Sequence, residues 1–203
     1  MIVISNPIAV ANEMSIIHSL FEEGMMLFHV RKPNFGETEM KQFLSEIHHN
    51  YRERLVLHSY HHLAEKFSTK RIHISESKRK VTLLLPNKSP FDFYIKNDFH
   101  LSTSAHTIED FNALDTFFKY AFLSPIYPSI SKENYFSNTD WFQAIKHRTN
   151  YTSQLIALGG IESKNIEQAL QNGFDNAALL GTIWNSQNPI QNFKLCQQIA
   201  LSY

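Results

Sequence analysis

Residues 155–186, LIALGGIESKNIEQALQNGFDNAALLGTIWNS, constrain the fold more than any other stretch. An apolar run, Leu155–Leu158, ends in Gly159-Gly160. The spacing of Ile166, Ala169 and Leu170 predicts a helix from Ser163, its capping residue, to Asn172. Gly173 is placed to stop that helix. A second apolar strand, Ala177–Leu180, then runs into Gly181 and a short helix through Thr182-Ile183-Trp184. In a parallel β/α fold both glycine turns lie at the C-terminal edge of the sheet. There bare backbone N–H groups and a helix N-terminus can cradle a phosphate with no side-chain charge. In a (β/α)8 barrel that place follows strands seven and eight. The alternative is that the glycines serve only tight turns; two such units together favour phosphate.

The rest of the chain reads as the same alternation. Strands are expected at Ile2–Ser5, Met26–Val30, Leu55–Leu57, Arg71–Ile74, His100–Ser104 and Tyr120–Ser124. Between them fall helices over Glu13–Glu23 and Glu37–Tyr51, and a short one over His61–Phe67. Another, opened by Thr107, carries Ile108, Phe111, Leu114, Phe117 and Phe118. Later helices are expected over Asn138–His147, with Trp141, Phe142 and Ile145 inward, and over Ile190–Ser202. Residues 76–98 fit the scheme badly. Lys80–Leu85 reads as extended, Asn87-Lys88-Ser89-Pro90 as a turn, and no fourth helix is evident. The expectation is one domain, residues 1–203: a single α/β (β/α)8 TIM barrel with an irregular segment in place of the fourth helix. At 203 residues it is a short one.

Charge narrows the partners. Lys+Arg and Asp+Glu stand at 19 each, so nothing points to nucleic acid or an anionic membrane. The triplet Lys78-Arg79-Lys80 reads as a solvated face, and the adjacent His61-His62 as surface helix. No apolar run reaches the roughly 20 residues of a membrane span, and Met1-Ile2-Val3-Ile4 reads as a strand rather than a signal segment. With one cysteine, Cys196, no disulfide can form within the chain, and a reducing cytoplasm is the expected location.

Chemistry is sought at the strand ends. These offer His29 and Arg31, His58 and Ser59, His73 and Ser75, Ser104 and His106, Ser129 to Lys132, Gly159-Gly160 and Gly181. Arg31 and Lys132 suit phosphate oxygens, and Ser129 and Ser131 add hydroxyl donors. Arg, Lys and hydroxyls facing a backbone cradle suit two phosphorylated ligands and charge stabilisation at a leaving pyrophosphate. His29 and His58 join the candidate binding set, and His73 sits on the next strand. Three imidazoles there could take a borderline metal such as Zn2+ or could fill space and hydrogen-bond within the barrel. No metal ligand is assigned among them.

Four motifs add a resemblance. Ser104-Ala105-His106-Thr107, Ser124-Pro125-Ile126-Tyr127-Pro128, Ala157-Leu158-Gly159-Gly160-Ile161 and Ala178–Ile183 resemble, in order and spacing, successive strand ends of the thiamine phosphate synthase/TenI family. The resemblance implies a role in thiamine biosynthesis. It implies coupling of hydroxyethylthiazole phosphate to a hydroxymethylpyrimidine pyrophosphate, with release of pyrophosphate and Mg2+ as cofactor. The TenI branch implies instead a tautomerase, or a paralogue that binds thiazole phosphate or thiamine phosphate. By resemblance Gly159, Gly160, Leu180 and Gly181 would hold the thiazole phosphate. Arg31, Ser129, Ser131 and Lys132 would hold the pyrophosphate, with Ser104 near the reacting centre; Arg31, Ser104 and Lys132 form the catalytic set. Association into a homodimer through the outer helices is also implied.

The chain departs from the family pattern on one side. Gln-x-Arg-x-Lys reads His29-Val30-Arg31-Lys32-Pro33, and the Asn-Asp pair after strand three reads His58-Ser59. Gly-Gln-x-Asp after strand four reads Ser75-Glu76-Ser77-Lys78, so the aligned Mg2+ carboxylates are absent and Glu76 is the nearest replacement. The tautomerase histidine aligns with Pro125.

Overall fold

The computed structural model describes residues 1–83, 91–130 and 136–203. Eight parallel strands close into a barrel in chain order: β1 (Ile2–Ile4), β2 (Leu27–Val30), β3 (Leu55–Leu57), β4 (Arg71–Ile74), β5 (His100–Ala105), β6 (Phe118–Leu123), β7 (Gln154–Leu158) and β8 (Asn176–Leu179). β1 closes on β8 through Ile2↔Ala178 and Val3↔Leu179. This is the expected (β/α)8 barrel. Its strands are short apolar runs because both faces are covered, as parallel sheets require.

Alternation along each strand divides the core in two. Val3, Phe28, Val30, Leu55, Leu57, Ile72, Ala121, Leu155 and Leu179 point out into a layer shared with the helices. Ile2, Ile4, Tyr120, Phe122, Ile156 and Ala178 fill the interior. The out-of-phase residues on β2, β4 and β5 are His29, His73, Ser102 and Ser104. That side of the interior is therefore polar.

Helices α1 (Glu13–Glu22) and α2 (Glu37–Glu46) bury the faces their spacing predicts. Met40, Phe43 and Leu44 of α2 each contribute about 1.5–3 kcal/mol by leaving water. α2 is shorter than expected: Ile47 turns to extended backbone, and His49–Arg54 winds as a separate 3-10 segment. The residues from His61 form only a 3-10 turn, His61–Leu63. His61 is buried there and His62 exposed, which corrects the reading of both as surface.

The fourth crossover is helical after all. Helix α3 (Glu76–Leu83) and helix α4 (Asp92–Lys96) occupy it, so Lys80–Leu83 is not extended. The supposed turn at 87–90 and the residues 84–85 lie outside the described residues. Apolar periodicity failed here because α3 buries a cation: Arg79 is 4% exposed. Its guanidinium bonds Thr103 Oγ1 at 3.3 Å and the Ser104 carbonyl at 3.4 Å. Of the basic triplet, Lys78 and Lys80 are exposed as expected, and Arg79 departs from that solvated face.

Three later helices are shorter than predicted. α5 (Ile108–Asn112) has the expected Thr107 cap but stops early, because Phe118 already belongs to β6. α6 (Trp141–Ala144) starts at Asp140, which caps Gln143, and passes into a 3-10 turn at Ile145–His147. α7 (Ile166–Gln171) starts after Asn165, not Ser163. Short α8 (Gly181–Trp184) and α9 (Pro189–Ala200) complete the barrel. Among the described residues no helix is long and apolar enough to cross a membrane.

Candidate active site

A cavity of about 400 Å3 opens where the strands end. Every strand from β2 to β8 sends residues to it, among them Arg31, His58, His73, Ser104, Gly159-Gly160 and Gly181.

The β7 and β8 side is made of backbone. Gly159 has φ 96° and Gly160 φ 65°, the left-handed region. The chain after β6 presses against them: Ile126 N–H donates to the Leu158 carbonyl at 3.0 Å and Tyr127 N–H to the Gly159 carbonyl at 3.1 Å. A Cβ on Gly159 would sit 2.9 Å from Pro125 Cα, and one on Gly160 2.7 Å from Tyr127 Cβ. Glycine is thus demanded by packing as well as by φ. Asn165 fixes the turn from the other side, donating to the Gly160 carbonyl at 2.8 Å and accepting from Glu162 N–H at 2.8 Å. Among the described residues the N–H groups of Gly160 and Ile161 donate to nothing. At α8 the first bonds come from Ile183 and Trp184 to the Leu180 carbonyl, leaving Gly181 and Thr182 N–H uncommitted. The Thr182 hydroxyl bonds the Ile161 carbonyl and so ties the two loops together. Four free N–H groups on two tied loops form an anion cradle.

Across the cavity stands Arg31. Ser5 holds its main chain on both sides, the hydroxyl donating to the Arg31 carbonyl at 3.0 Å and accepting from its N–H at 2.8 Å. Among the described residues no hydrogen bond or ion pair engages its guanidinium. Its neighbour Lys32 points the opposite way and is 1% exposed. Lys32 Nζ meets both Glu13 oxygens at 2.7 Å and the Ile8 carbonyl at 3.0 Å, over the rings of Phe35 and Phe43.

This arrangement matches known proteins. The profile of a family described as thiamine monophosphate synthase matches residues 1–183. The chain belongs to that family. A thiamine phosphate pyrophosphorylase from Bacteroides thetaiotaomicron is similar at 29% identity, covering 98% of this chain and 96% of that one, with a TM-score of 0.76. One from Pyrococcus furiosus shares the fold at 14% identity, 99% and 95% coverage and a TM-score of 0.75. So does the 3-hexulose-6-phosphate synthase of Salmonella typhimurium, at 11% identity, 99% and 98% coverage and a TM-score of 0.69. No curated protein matches the chain in sequence.

Family membership implies Mg2+, which takes oxygen ligands and keeps a carboxylate or two. Among the described residues Glu76 is the one carboxylate lining the cavity. It is already engaged, bonded to His106 and 2.8 Å from Lys80. The positions where the family pattern expects carboxylates, after strands three and four, carry Ser59 and Lys78. The described residues therefore do not assemble a family-type Mg2+ site.

What stands there instead is a hydrogen-bonded group of histidines. His29 Nδ1 lies 3.0 Å from His58 Nε2, and His29 Nε2 lies 2.7 Å from the Tyr120 hydroxyl. His73 bonds Ser102 Oγ at 3.0 Å and Ser104 Oγ at 3.1 Å. Burial holds all three below the ordinary imidazole range, His73 at about 3, with the neighbouring cations adding to it. They are neutral at pH 7.

The expected site residues thus fall into groups. Arg31, His58, Ser104, Ser129, Gly159, Gly160, Leu180 and Gly181 come together around the cavity. His29 does not line it: it is fully buried beneath His58, with Nδ1 against His58 and Nε2 against Tyr120. Ser131 and Lys132 lie outside the described residues. Sequence reasoning missed Tyr120 and Arg79, which hold His29 and the Ser104 strand end. Tyr120 was legible as an inward residue by alternation with Phe122; Arg79 gave no apolar signal.

Proposed function

We propose that the protein makes thiamine phosphate. Hydroxyethylthiazole phosphate sits with its phosphate on the Gly160, Ile161, Gly181 and Thr182 N–H groups, and hydroxymethylpyrimidine pyrophosphate lies beside Arg31. The thiazole nitrogen bonds to the pyrimidine methylene carbon as the carbon–oxygen bond to pyrophosphate breaks, and the electron pair leaves on pyrophosphate. Arg31 and Lys132 would stabilise that charge, with Ser129 and Ser131 as hydroxyl donors and Ser104 beside the reacting carbon. The observation that carries the reading is the anion cradle facing an uncommitted arginine across one cavity. The reading places the protein in the cytoplasm, as a homodimer joined through its outer helices.

A second reading, a paralogue that binds thiazole phosphate or thiamine phosphate without turnover, is favoured by the engagement of Glu76 and the missing carboxylates. One paired assay separates them: calorimetric titration with thiazole phosphate, then pyrophosphate release on adding the pyrimidine pyrophosphate and Mg2+. Binding with release supports the synthase. Binding alone supports the paralogue, and no binding removes both.

A further inference from the structure

We propose that His29, His58 and His73 form a binding site for one borderline divalent transition metal ion of the Zn2+ class, with an open coordination position facing the mouth cavity. Three consecutive strands, β2, β3 and β4, bring one imidazole each, that of His58 from just beyond β3, to the same side of the barrel interior. One ligand nitrogen from each residue lies within 4.8 Å of the others. A tetrahedral Zn2+ with bonds of about 2.0–2.1 Å spaces its ligand atoms by roughly 3.3–3.4 Å. The 3.0 Å between His29 Nδ1 and His58 Nε2 is already near that spacing, and the His73 ring, stacked on His58 at 4.2 Å, has to turn to bring its nitrogen in.

Space-filling alone does not require the way the far nitrogens are held. While His29 Nδ1 faces the cluster, its Nε2 is fixed by the Tyr120 hydroxyl at 2.7 Å. His73 Nδ1 is fixed by Ser102, whose hydroxyl also donates to the Ile72 carbonyl at 3.3 Å, while its Nε2 meets the Ser104 hydroxyl at 3.1 Å, a bond that an entering metal would replace. Anchoring the distal nitrogen to a hydroxyl or carbonyl is what metal-ligating histidines do. Burial keeps the rings neutral, the form that binds metal. Nitrogen donors with no carboxylate select Zn2+, Co2+ or Cu2+ over Mg2+. His58 and His73 border the cavity while His29 lies below it, so the free position points up to where a ligand enters. Arg31 lines the same cavity as His58 and His73, and its charge there favours an anionic oxygen as the fourth ligand. The site does not rest on the thiamine reading, since it needs only the three rings and the cavity.

The test uses untagged protein freed of metal by a chelator and titrated with Co2+. One equivalent should bind with the intense visible bands of four- or five-coordinate cobalt, and one equivalent of Zn2+ should abolish them. No binding, or only the faint spectrum of six-coordinate cobalt, would overturn the site on the wild-type chain alone. The His58→Ala variant, its fold checked by circular dichroism, should bind more than about 100-fold more weakly, beyond the 10–100-fold typical of losing an outer anchor. Unchanged affinity would put the metal elsewhere, at His48-His49 for instance, and overturn the proposal as well.

Discussion

Replacing Glu13 by Gln should cost more than any other isosteric change in the β2 region. Lys32 Nζ is enclosed, with its three donors going to Glu13 Oε1, Glu13 Oε2 and the Ile8 carbonyl. Burial raises the Glu13 carboxyl above its ordinary range and lowers the Lys32 ammonium, in each case outweighing the partner's attraction. Each charge is therefore a liability that only the other makes tolerable. Glu13→Gln keeps the shape and leaves an ammonium buried against one carbonyl, an amide and two aromatic faces. Breaking a buried pair this way costs about 3–5 kcal/mol. For a chain of this size each kcal/mol moves Tm by about 2–4 °C, so the drop should be roughly 6–20 °C. The double change Glu13→Leu with Lys32→Met removes both charges and fills the space with carbon, and should return to within about 1 kcal/mol of the parent. Urea unfolding of parent, single and double variants reads this directly. A single variant losing less than about 1 kcal/mol, or a double variant no better than the single, would show that the pair is solvated and the reasoning wrong. Since Lys32 faces away from the mouth, the double variant should also keep its affinity for thiazole phosphate.

Other expectations follow from the mouth. Gly160→Ala places a Cβ at φ 65° and 2.7 Å from Tyr127 Cβ. Left-handed backbone costs about 1–2 kcal/mol and overpacking about 1–3 more, so thermal unfolding should fall by several degrees; an unchanged Tm would deny the contact. Arg31→Ala removes charge-assisted hydrogen bonds of about 1.5–3 kcal/mol and should weaken pyrophosphate binding roughly 10- to 150-fold in calorimetry. Thiazole phosphate affinity should change much less; equal losses would contradict the division of the cavity. Burial lowers His61 from 6.5 to about 4 and His73 to about 3. Depressed imidazoles give stability that is full above about pH 6.5 and lost as pH falls through 4 toward 3. The urea midpoint should therefore drop between pH 6.5 and 4, and a flat midpoint over that window would show these rings to be exposed.

The barrel was legible because its strands are continuous apolar runs, such as Leu55–Leu57 and Leu155–Leu158, punctuated by glycines that backbone geometry demands. Helix α3 was not. Its buried side is Arg79, recruited by Thr103 and the Ser104 carbonyl, and a cation that packs through hydrogen bonds leaves no apolar period. The early end of α5 was hidden for the converse reason. Phe117 and Phe118 continue a helical spacing, but Phe118 starts β6 and is buried in the sheet–helix layer. Lys32 was invisible as an ion-pair partner because Glu13 stands on the preceding helix, 19 residues away. The glycine cradle and Arg31 could be found from residue type and strand-end position alone. The engagement of Glu76 by His106 and Lys80 could not, since it depends on how α3 and the turn after β5 approach each other.

These contrasts divide the mouth into two halves with different tolerance for change. On the β7–β8 half the ligand would be held by N–H groups, so function resides in backbone shape. A side chain at Gly159 or Gly160 would strike the chain after β6, which ties binding to packing there. On the β2–β4 half the groups that face the mouth are side chains, which can be exchanged for others without disturbing the outward layer. Strand β3 illustrates this: Leu55 and Leu57 hold the sheet to the helices while His58 just beyond them lines the cavity. Neutral nitrogen donors at that edge, as in the proposed histidine site, favour Zn2+ over Mg2+ and leave the barrel intact. The anion cradle and the proposed cation site are physically separable, since one is built from backbone N–H groups and the other from side chains.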